Sequence, residues 1–264
     1  MTPRRRLDVA LVEDGLCETR SRAQAAVLAG IVRVDGVVAQ KAGASVGADS
    51  RIEMDTPQEF VSRGGTKLAN ALDAVGMDVR GTRAIDLGAS TGGFTDCLLQ
   101  RGAESVIAVD VGYGQLDYRL RQDPRVHVME RTNARHLTPD QLPYAPDLVV
   151  CDVSFISIRL VWPAVRACLA PGWRGLLMVK PQFEVGREQV GRGGVVRDPD
   201  LRAQAVTNVA ECVLSHGGAV LDAADSGLSG PKGNREVFLV VGDAATATTL
   251  PTLDRRIQEA VHVA

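Results

Sequence analysis

The stretch RAIDLGASTGGF at positions 83–94 constrains the possible fold more than any other part of the sequence. A short apolar run leads to an acid, and Gly88, Gly92 and Gly93 then follow within a few residues. Glycine adopts positive φ without strain and lets another group approach the backbone closely. The pattern predicts a strand, a tight loop and then the helix FTDCLLQ, with a ligand held against the loop.

Strands and helices alternate along the chain after residue 57. We predict strands at 83–87, 105–110, 126–130, 147–152, 175–180, 219–226 and 235–241, and helices at 94–101, 158–169 and 199–216. Such alternation indicates an α/β fold whose mostly parallel sheet is covered by helices on both faces. The loop GLSGPKGN between the last two strands is too short for a crossover, so that pair is expected to be antiparallel.

The first 56 residues follow a different pattern. Leu7, Ala10 and Leu11 share one face of a first helix, and a second helix follows. Asp35-Gly36 lies between the apolar runs IVRV and VVAQ, a sequence typical of a two-residue β-hairpin. Two helices and a hairpin make a small α+β domain, and a domain of this size is normally an accessory one.

The position of the glycine loop indicates what it binds. In a doubly wound sheet, ligands bind at the carboxyl ends of the strands, and the loop occupies that place. Asp110 ends the next strand about 20 residues after Gly88, where an acid hydrogen-bonds the ribose of an adenosine-bearing cofactor. The glycine spacing is G-x-x-x-G-G rather than the G-x-G-x-x-G of a dinucleotide site, so NAD fits imperfectly.

Composition excludes several classes of protein. The cysteines are odd in number, scattered and without a C-x-x-C pair, which argues against a disulfide framework and a zinc site. Acids interrupt the basic N-terminus, and no run approaches the roughly 18 apolar residues of a membrane span. The sequence therefore predicts a cytoplasmic protein with no metal site and no membrane segment.

The glycine loop resembles the S-adenosylmethionine site of class I (Rossmann-like) methyltransferases, with Asp-Leu-Gly followed by Gly-Gly-Phe. The resemblance implies S-adenosylmethionine as the cofactor. The residues that it implies for cofactor binding are Asp86, Gly88, Ser90, Thr91, Gly92, Gly93, Phe94, Asp110, Asn133 and Asp152.

The N-terminal stretch RLDVALVEDGLCETRSRAQAAVLAGIVRVDG resembles the S4-like RNA-binding domain. Basic side chains at the start of its second helix and beside its hairpin can contact the phosphates of folded RNA. Taken singly, such clusters are more often a solvated surface. The candidate RNA-binding residues, in this domain and in two later basic segments, are Arg4, Arg6, Arg20, Arg22, Arg33, Lys41, Arg63, Arg187 and Arg192.

The residues after the fourth strand indicate which nucleophile is methylated. Asp152 begins DVSF, which lacks the prolines of amino-methylating enzymes, and strand alternation points Cys151 to the opposite face. Lys180 ends an apolar strand at the same edge of the sheet, where its amine could act as a base for a hydroxyl. Lys67 could be a second cation nearby, and Glu236 could orient one of the amines.

Lys67, Asp152, Lys180 and Glu236 together resemble the Lys-Asp-Lys-Glu tetrad of FtsJ-like RNA ribose 2′-O-methyltransferases. The matching frames are VSRGGTKL, VVCDVSFIS, MVKPQFE and KGNREVFL. The resemblance implies that these four residues are catalytic. With the N-terminal module in front, nearly the whole chain is similar to the TlyA family, often labelled haemolysin A.

The family resemblance implies an organisation and a function. We expect an S4-like domain at 1–56, a linker at 57–63 and an FtsJ-like methyltransferase domain with a seven-stranded sheet at 64–264. The implied activity is 2′-O-methylation of cytidines in 16S and 23S rRNA, which makes ribosomes susceptible to capreomycin and viomycin. The expected partner is rRNA within ribosomal subunits, and a monomer with no obligate protein partner is expected. The alternatives are a membrane-active haemolysin, an NAD-dependent oxidoreductase with an RNA-binding appendage, and an RNA-binding protein with an inactive methyltransferase domain.

Overall fold

The computed structural model describes residues 4–54, 59–228, 230 and 233–262. The chain divides into two compact units, Met1–Gln58 and Glu59–Ala264. The boundary predicted after residue 56, and the first two residues of the predicted linker, lie outside the described residues. Each unit has its own hydrophobic core.

The first unit is the small α+β domain that the sequence predicts. Its described elements are β1 (Arg4–Arg6), α1 (Leu7–Glu13), α2 (Arg20–Leu28), β2 (Val32–Val34), β3 (Val37–Val38), β4 (Ser45–Gly47) and β5 (Ile52–Met54). β2 lies between β3 and β5, and β1 pairs with β4, all antiparallel. Asp35 and Gly36 have φ values of 52° and 81°, so the predicted hairpin is confirmed.

A buried carboxylate holds two arginine side chains of this unit in place. Asp8, in the first turn of α1, is fully buried, although the apolar pattern gives it no role in the core. Its oxygens accept hydrogen bonds from Arg6, Arg20 and Gln24, each at 3.0 Å. These bonds hold the pKa of Asp8 well below its usual range. Two of the candidate RNA-binding arginines are therefore fixed in place by one acid.

The second unit is built on a seven-stranded sheet. Its strands are β6 (Arg83–Leu87), β7 (Ser105–Val109), β8 (Val126–Met129), β9 (Leu148–Cys151), β10 (Arg174–Val179), β11 (Gly218–Asp225) and β12 (Val237–Asp243). They lie in the order β11-β12-β10-β9-β6-β7-β8. β12 runs antiparallel to both of its neighbours, and the other pairs are parallel. The predicted strands, the mostly parallel sheet and the antiparallel final pair are confirmed.

Helices bury both faces of this sheet. They are α3 (Arg63–Val75), α4 (Gly93–Gln100), α5 (Tyr118–Gln122), α6 (Ile158–Cys168), α7 (Pro181–Glu184), α8 (Pro199–Ser215) and α9 (Leu253–His262). One core cluster includes residues of α6, α8 and α9, and the other includes residues of α3 and α4. The sequence patterns did not indicate α3 or α9. Among the residues described, no helix is both long and apolar enough to cross a membrane.

The described part of the predicted linker, 59–63, lies in the second unit. Phe60 is buried in its core, where its side chain occupies the space beside Gly65. The backbone N–H of Val61 donates to the carboxylate of Asp96 at 2.8 Å, and α3 already begins at Arg63. A buried aromatic ring makes this segment part of the domain rather than a flexible connection.

We expect Asp8→Ala to destabilise the first unit at neutral pH, because it leaves Arg6, Arg20 and Gln24 without their shared acceptor. Hydrogen exchange at the amides of α1 and α2, with thermal unfolding, measures the loss. Since the folded pKa of Asp8 is lowered, this stabilisation is present above about pH 4 and disappears as the pH falls through the folded pKa.

Glu18→Gln is the matched control, because its ion pair with Arg22 is exposed on both sides. Exposed pairs contribute little, so this variant should unfold like the wild type. Equal protection of α1 in Asp8→Ala and Glu18→Gln would contradict the organising role of Asp8.

Candidate active site

The topology of the sheet brings the four tetrad candidates to one edge. Asp152 directly follows β9 and Lys180 directly follows β10, and these neighbouring parallel strands end together. Glu236 directly precedes β12, which is antiparallel, so the start of β12 lies at that same edge. Lys67 reaches the edge from the first turns of α3. All four line one cavity of about 540 Å³, called here the tetrad cavity.

The four residues form two ion pairs. Lys180 Nζ lies 2.5 Å from Asp152 Oδ1, and the amine of Lys67 pairs with the carboxylate of Glu236. Lys67, Lys180 and Glu236 are buried, and the side chain of Asp152 is about three-quarters buried. Buried charges require partners, because transfer of an isolated ion out of water is costly. The pairs therefore keep two amines at the strand ends without uncompensated charge.

The residues around Asp152 have shifted acidities. Burial raises the pKa of Asp152, and the ammonium of Lys180 opposes that shift. Burial likewise raises the pKa of the Cys151 thiol to about 12. Cys151 is in the core cluster on the other side of the strand, as the alternation predicts. A thiol that is buried and protonated is not a nucleophile.

The glycine loop turns sharply beside Asp152. Gly88 has φ of +82°, and a Cβ atom there would lie 2.8 Å from the carbonyl oxygen of Asp152. Gly92 has φ of +97° and is the N-cap of α4, and Ser90 has a positive φ of 48°. Gly93 and Phe94 begin α4, and Gly93, Phe94 and Thr91 line the tetrad cavity. The glycines thus provide the tight turn and close approach that the sequence predicts.

Asp86 is a fully buried acid on β6 beneath this loop. Its Oδ2 accepts hydrogen bonds from the N–H of Thr95 at 3.0 Å and from the Thr95 hydroxyl at 2.7 Å. Its Oδ1 has no hydrogen-bond partner among the described residues, and Asp86 lines the tetrad cavity. Burial raises the pKa of Asp86 to about 7. A cationic group of a ligand would compensate this carboxylate.

A second cavity, of about 550 Å³, adjoins the first and is called here the Asp110 cavity. Asp110, just after β7, lines it, and its carboxylate accepts from the N–H groups of Ser90 at 2.8 Å and Gly112 at 2.7 Å. Each carboxylate oxygen can accept a further hydrogen bond, so ribose hydroxyls can still donate to it. Asn133 also lines this cavity, but its side-chain oxygen accepts from the N–H of Arg135. Contact of Asn133 with an adenine ring would therefore use its NH₂ group.

Several residues that line the cavities were not predicted from the sequence, among them Ser154, Phe155 and Gln182. Ser154 and Phe155 line both cavities, and Gln182 lines the tetrad cavity. Phe155 has a positive φ of 65° and is 92% exposed, and its ring lies 5.3 Å from that of Phe183. A positive φ is unusual for an aromatic residue, and strained backbone of this kind is common at functional sites. The sequence alone carries no signal for that backbone conformation.

The candidate RNA-binding residues do not form one cluster within a unit. Arg63, at the start of α3, lines the tetrad cavity, whereas Arg187 and Arg192 are exposed on the segment after α7. In the first unit Arg4 donates to Ser45 and Arg22 pairs with Glu18. Their exposure is consistent with contact to a polyanion.

Comparison with known protein families matches both units. Residues 60–243 match the FtsJ-like methyltransferase family, and residues 5–52 match the S4 domain. The first match covers the sheet, the glycine loop and all four tetrad positions.

Relatives along the whole chain agree with this division. The chain is 47% identical to the 16S/23S rRNA (cytidine-2′-O)-methyltransferase TlyA of Mycobacterium tuberculosis strain H37Rv, over 99% of this chain and 97% of that protein. It is 39% identical to Hemolysin A of Brachyspira hyodysenteriae, over 88% and 97%. A solved Streptococcus thermophilus structure with a hemolysin name is 37% identical, with a TM-score of 0.75 and coverage of 99% and 95%. The chain therefore belongs to the TlyA family of FtsJ-like methyltransferases.

Proposed function

We propose that this protein transfers a methyl group from S-adenosylmethionine to the 2′-oxygen of cytidine riboses in 16S and 23S ribosomal RNA. The main support for the proposal is the position of Lys180. Its amine pairs with Asp152, and both residues line the tetrad cavity together with the glycine loop. A ribose hydroxyl must lose its proton as it attacks a methyl group, and a positioned base accelerates such a step. The relative from M. tuberculosis carries the same activity in its name.

The residues present fit S-adenosylmethionine. When bound, the cofactor supplies an electrophilic methyl group on a cationic sulfur. Asp86, with one oxygen unpartnered among the described residues, suits the cationic amino group of the methionine part. Asp110 suits the ribose hydroxyls, and apolar residues including Val111 and Ile156 form walls for the adenine. At Gly88 the loop packs closely against the backbone of Asp152, and the missing side chain makes that approach possible.

The tetrad supports the transfer in two ways. Lys180 takes the proton of the ribose hydroxyl, and Asp152 holds its amine at the wall shared by the two cavities. Lys67 and Glu236 neutralise one another and also line the tetrad cavity. The ring of Phe155, exposed at the mouth, offers a base a surface for stacking. The proposed chemistry needs positioning and proton removal and uses no metal ion.

We extend the proposal to the division of labour along the chain. Residues 1–56 bind rRNA within a ribosomal subunit through exposed basic side chains, and residues 64–264 bind the cofactor and perform the reaction. The protein acts in the cytoplasm as a monomer without an obligate protein partner. Its methylation makes ribosomes susceptible to capreomycin and viomycin.

We expect Lys180→Ala to lower single-turnover methylation of ribosomal subunits by about 10²–10⁴-fold, because a general base is removed. Calorimetric titration should still detect binding of S-adenosylmethionine and no binding of NAD. Lys180→Arg is the matched variant, since it keeps a cation beside Asp152 but cannot take up a proton. If Lys180→Arg methylates at the wild-type rate, Lys180 is not the base.

We expect Asp86→Asn to weaken S-adenosylmethionine binding by about tenfold or more at pH 8, because it removes a charge-assisted hydrogen bond. In the wild type the affinity should fall as the pH drops below about 7, since the free carboxyl is then protonated. The variant should lack this dependence. Titration calorimetry between about pH 5.5 and 8 measures both.

The folding stability of the free protein should depend on pH in the opposite direction to the cofactor affinity. A carboxyl whose folded pKa is raised lowers the stability of the free protein as the pH rises from about 4 through 7, by roughly 1.4 kcal/mol per pH unit. Asp86→Asn removes that cost and should not melt below the wild type at pH 8. Asp254→Asn, on the exposed first turn of α9, is the control and should change neither property. An unchanged affinity in Asp86→Asn would remove Asp86 from the cofactor site.

We expect the double variant Arg22→Ala/Lys41→Ala to bind ribosomal subunits more weakly while its single-turnover rate at saturating subunit stays unchanged. Each removed side chain that neutralises a phosphate should reduce the slope of log affinity against log salt by about one, so the double variant should lose about two. Binding measured across a salt series tests this. Arg255→Ala, on the exposed side of α9, is the control. Wild-type salt dependence in the double variant would place the RNA surface elsewhere.

A further inference from the structure

The amine of Lys180 contacts three oxygen atoms, one by ion pairing and two by hydrogen bonds, and all three lie on the short segment that follows β9. Nζ lies 2.5 Å from Asp152 Oδ1, donates to Ser154 Oγ at 2.7 Å, and lies 3.4 Å from the carbonyl oxygen of Asp152. An ammonium group has three N–H donors, and these three oxygens crowd the amine. Of its hydrogen bonds to the Asp152 carbonyl and to Ser154, the one to Ser154 is the shorter.

The three partners differ in what they can do when the amine is neutral. The carboxylate and the carbonyl of Asp152 only accept hydrogen bonds, whereas the hydroxyl of Ser154 can also donate one. A neutral amine can therefore direct its two N–H groups toward Asp152 and accept a hydrogen bond from the Ser154 hydroxyl on its lone pair. Of the three partners, Ser154 alone suits both protonation states of Lys180.

Solvent exposure also favours Ser154 as the group that the substrate hydroxyl meets. The side chain of Lys180 is only 10% exposed, whereas Ser154 is exposed and lines both the tetrad cavity and the Asp110 cavity. The neighbouring Phe155 has a positive φ, which marks a sharp turn of the chain directly after Ser154. A ribose hydroxyl that enters at the shared wall thus meets the serine hydroxyl before the buried amine.

We propose that Ser154 is a catalytic residue that relays the proton of the ribose 2′-hydroxyl to Lys180. This inference rests on the proposed function. As the bond from the ribose oxygen to the methyl carbon forms, the bond from that carbon to the cofactor sulfur breaks. The ribose O–H bond breaks at the same time, and its proton passes to Ser154 Oγ. The proton of Ser154 passes to the neutral amine of Lys180, which becomes an ammonium and later releases a proton to solvent.

The test compares Ser154→Ala with Ser154→Thr in the full chain, in single turnover at saturating S-adenosylmethionine and ribosomal subunits. Ala removes the relay hydroxyl and should lower the rate constant by about tenfold or more, while cofactor and subunit affinities stay within about twofold. Thr keeps a hydroxyl and should restore most of the rate. Ser215→Ala, whose hydroxyl donates to the carbonyl of Cys212 and lies beside the ring of His216, is the matched control and should react like the wild type.

The dependence of the rate on the deuterium fraction of the solvent gives a readout that a purely structural serine would not change. Two protons in transfer make this dependence curved in the wild type and in Ser154→Thr, and it should become linear in Ser154→Ala. A linear dependence in the wild type, a full rate in Ser154→Ala, or no recovery with Thr overturns the relay while leaving the methyltransferase proposal intact. A wild-type chain that makes no methylated product overturns both proposals.

Discussion

The contact between Lys180 and Asp152 is the interaction on which the rest of the site depends. Asp152 directly follows β9, and Lys180 directly follows β10. Because these two strands are hydrogen-bonded neighbours, the sheet holds the two residues side by side. Because the pair is largely buried, each charge stabilises the other in a place where water would otherwise be required. The antiparallel β12 then adds Glu236 to the same edge, and Glu236 in turn holds Lys67. The strand order therefore brings the four side chains together.

The two acids near the glycine loop, Asp86 and Asp110, differ in their surroundings. Asp86 is fully buried, Thr95 is its hydrogen-bond partner among the described residues, and burial raises its pKa to about 7. A free protein gains no stability from an acid in such a position, whereas a cationic ligand would compensate it. Asp110 differs, because backbone N–H groups of Ser90 and Gly112 already satisfy its oxygens. One acid is thus prepared for a charge and the other for hydroxyl groups.

The sequence predicted those features that depend on local patterns. The turn at Gly88, the strand ends at Asp152 and Lys180, and the antiparallel last strand all follow from spacing and loop length. Long-range contacts could not be predicted in this way. Nothing in the apolar pattern indicates that Asp8 holds Arg6, Arg20 and Gln24. The predicted linker also extended too far, since its residues 59–63 belong to the second unit. Phe60 packs into the core of that unit, a contact that forms only when the chain folds.

The nucleoside product formed on unmodified ribosomal subunits shows directly whether the methyl group goes to the ribose of cytidine. Subunits incubated with the protein and S-adenosylmethionine would be digested to nucleosides and analysed by mass spectrometry. 2′-O-methylcytidine is the expected product, because the proposed base is the amine of Lys180 and the nearby Cys151 thiol is buried and protonated. A methyl group on the cytosine ring, or no methylated cytidine at all, would contradict it.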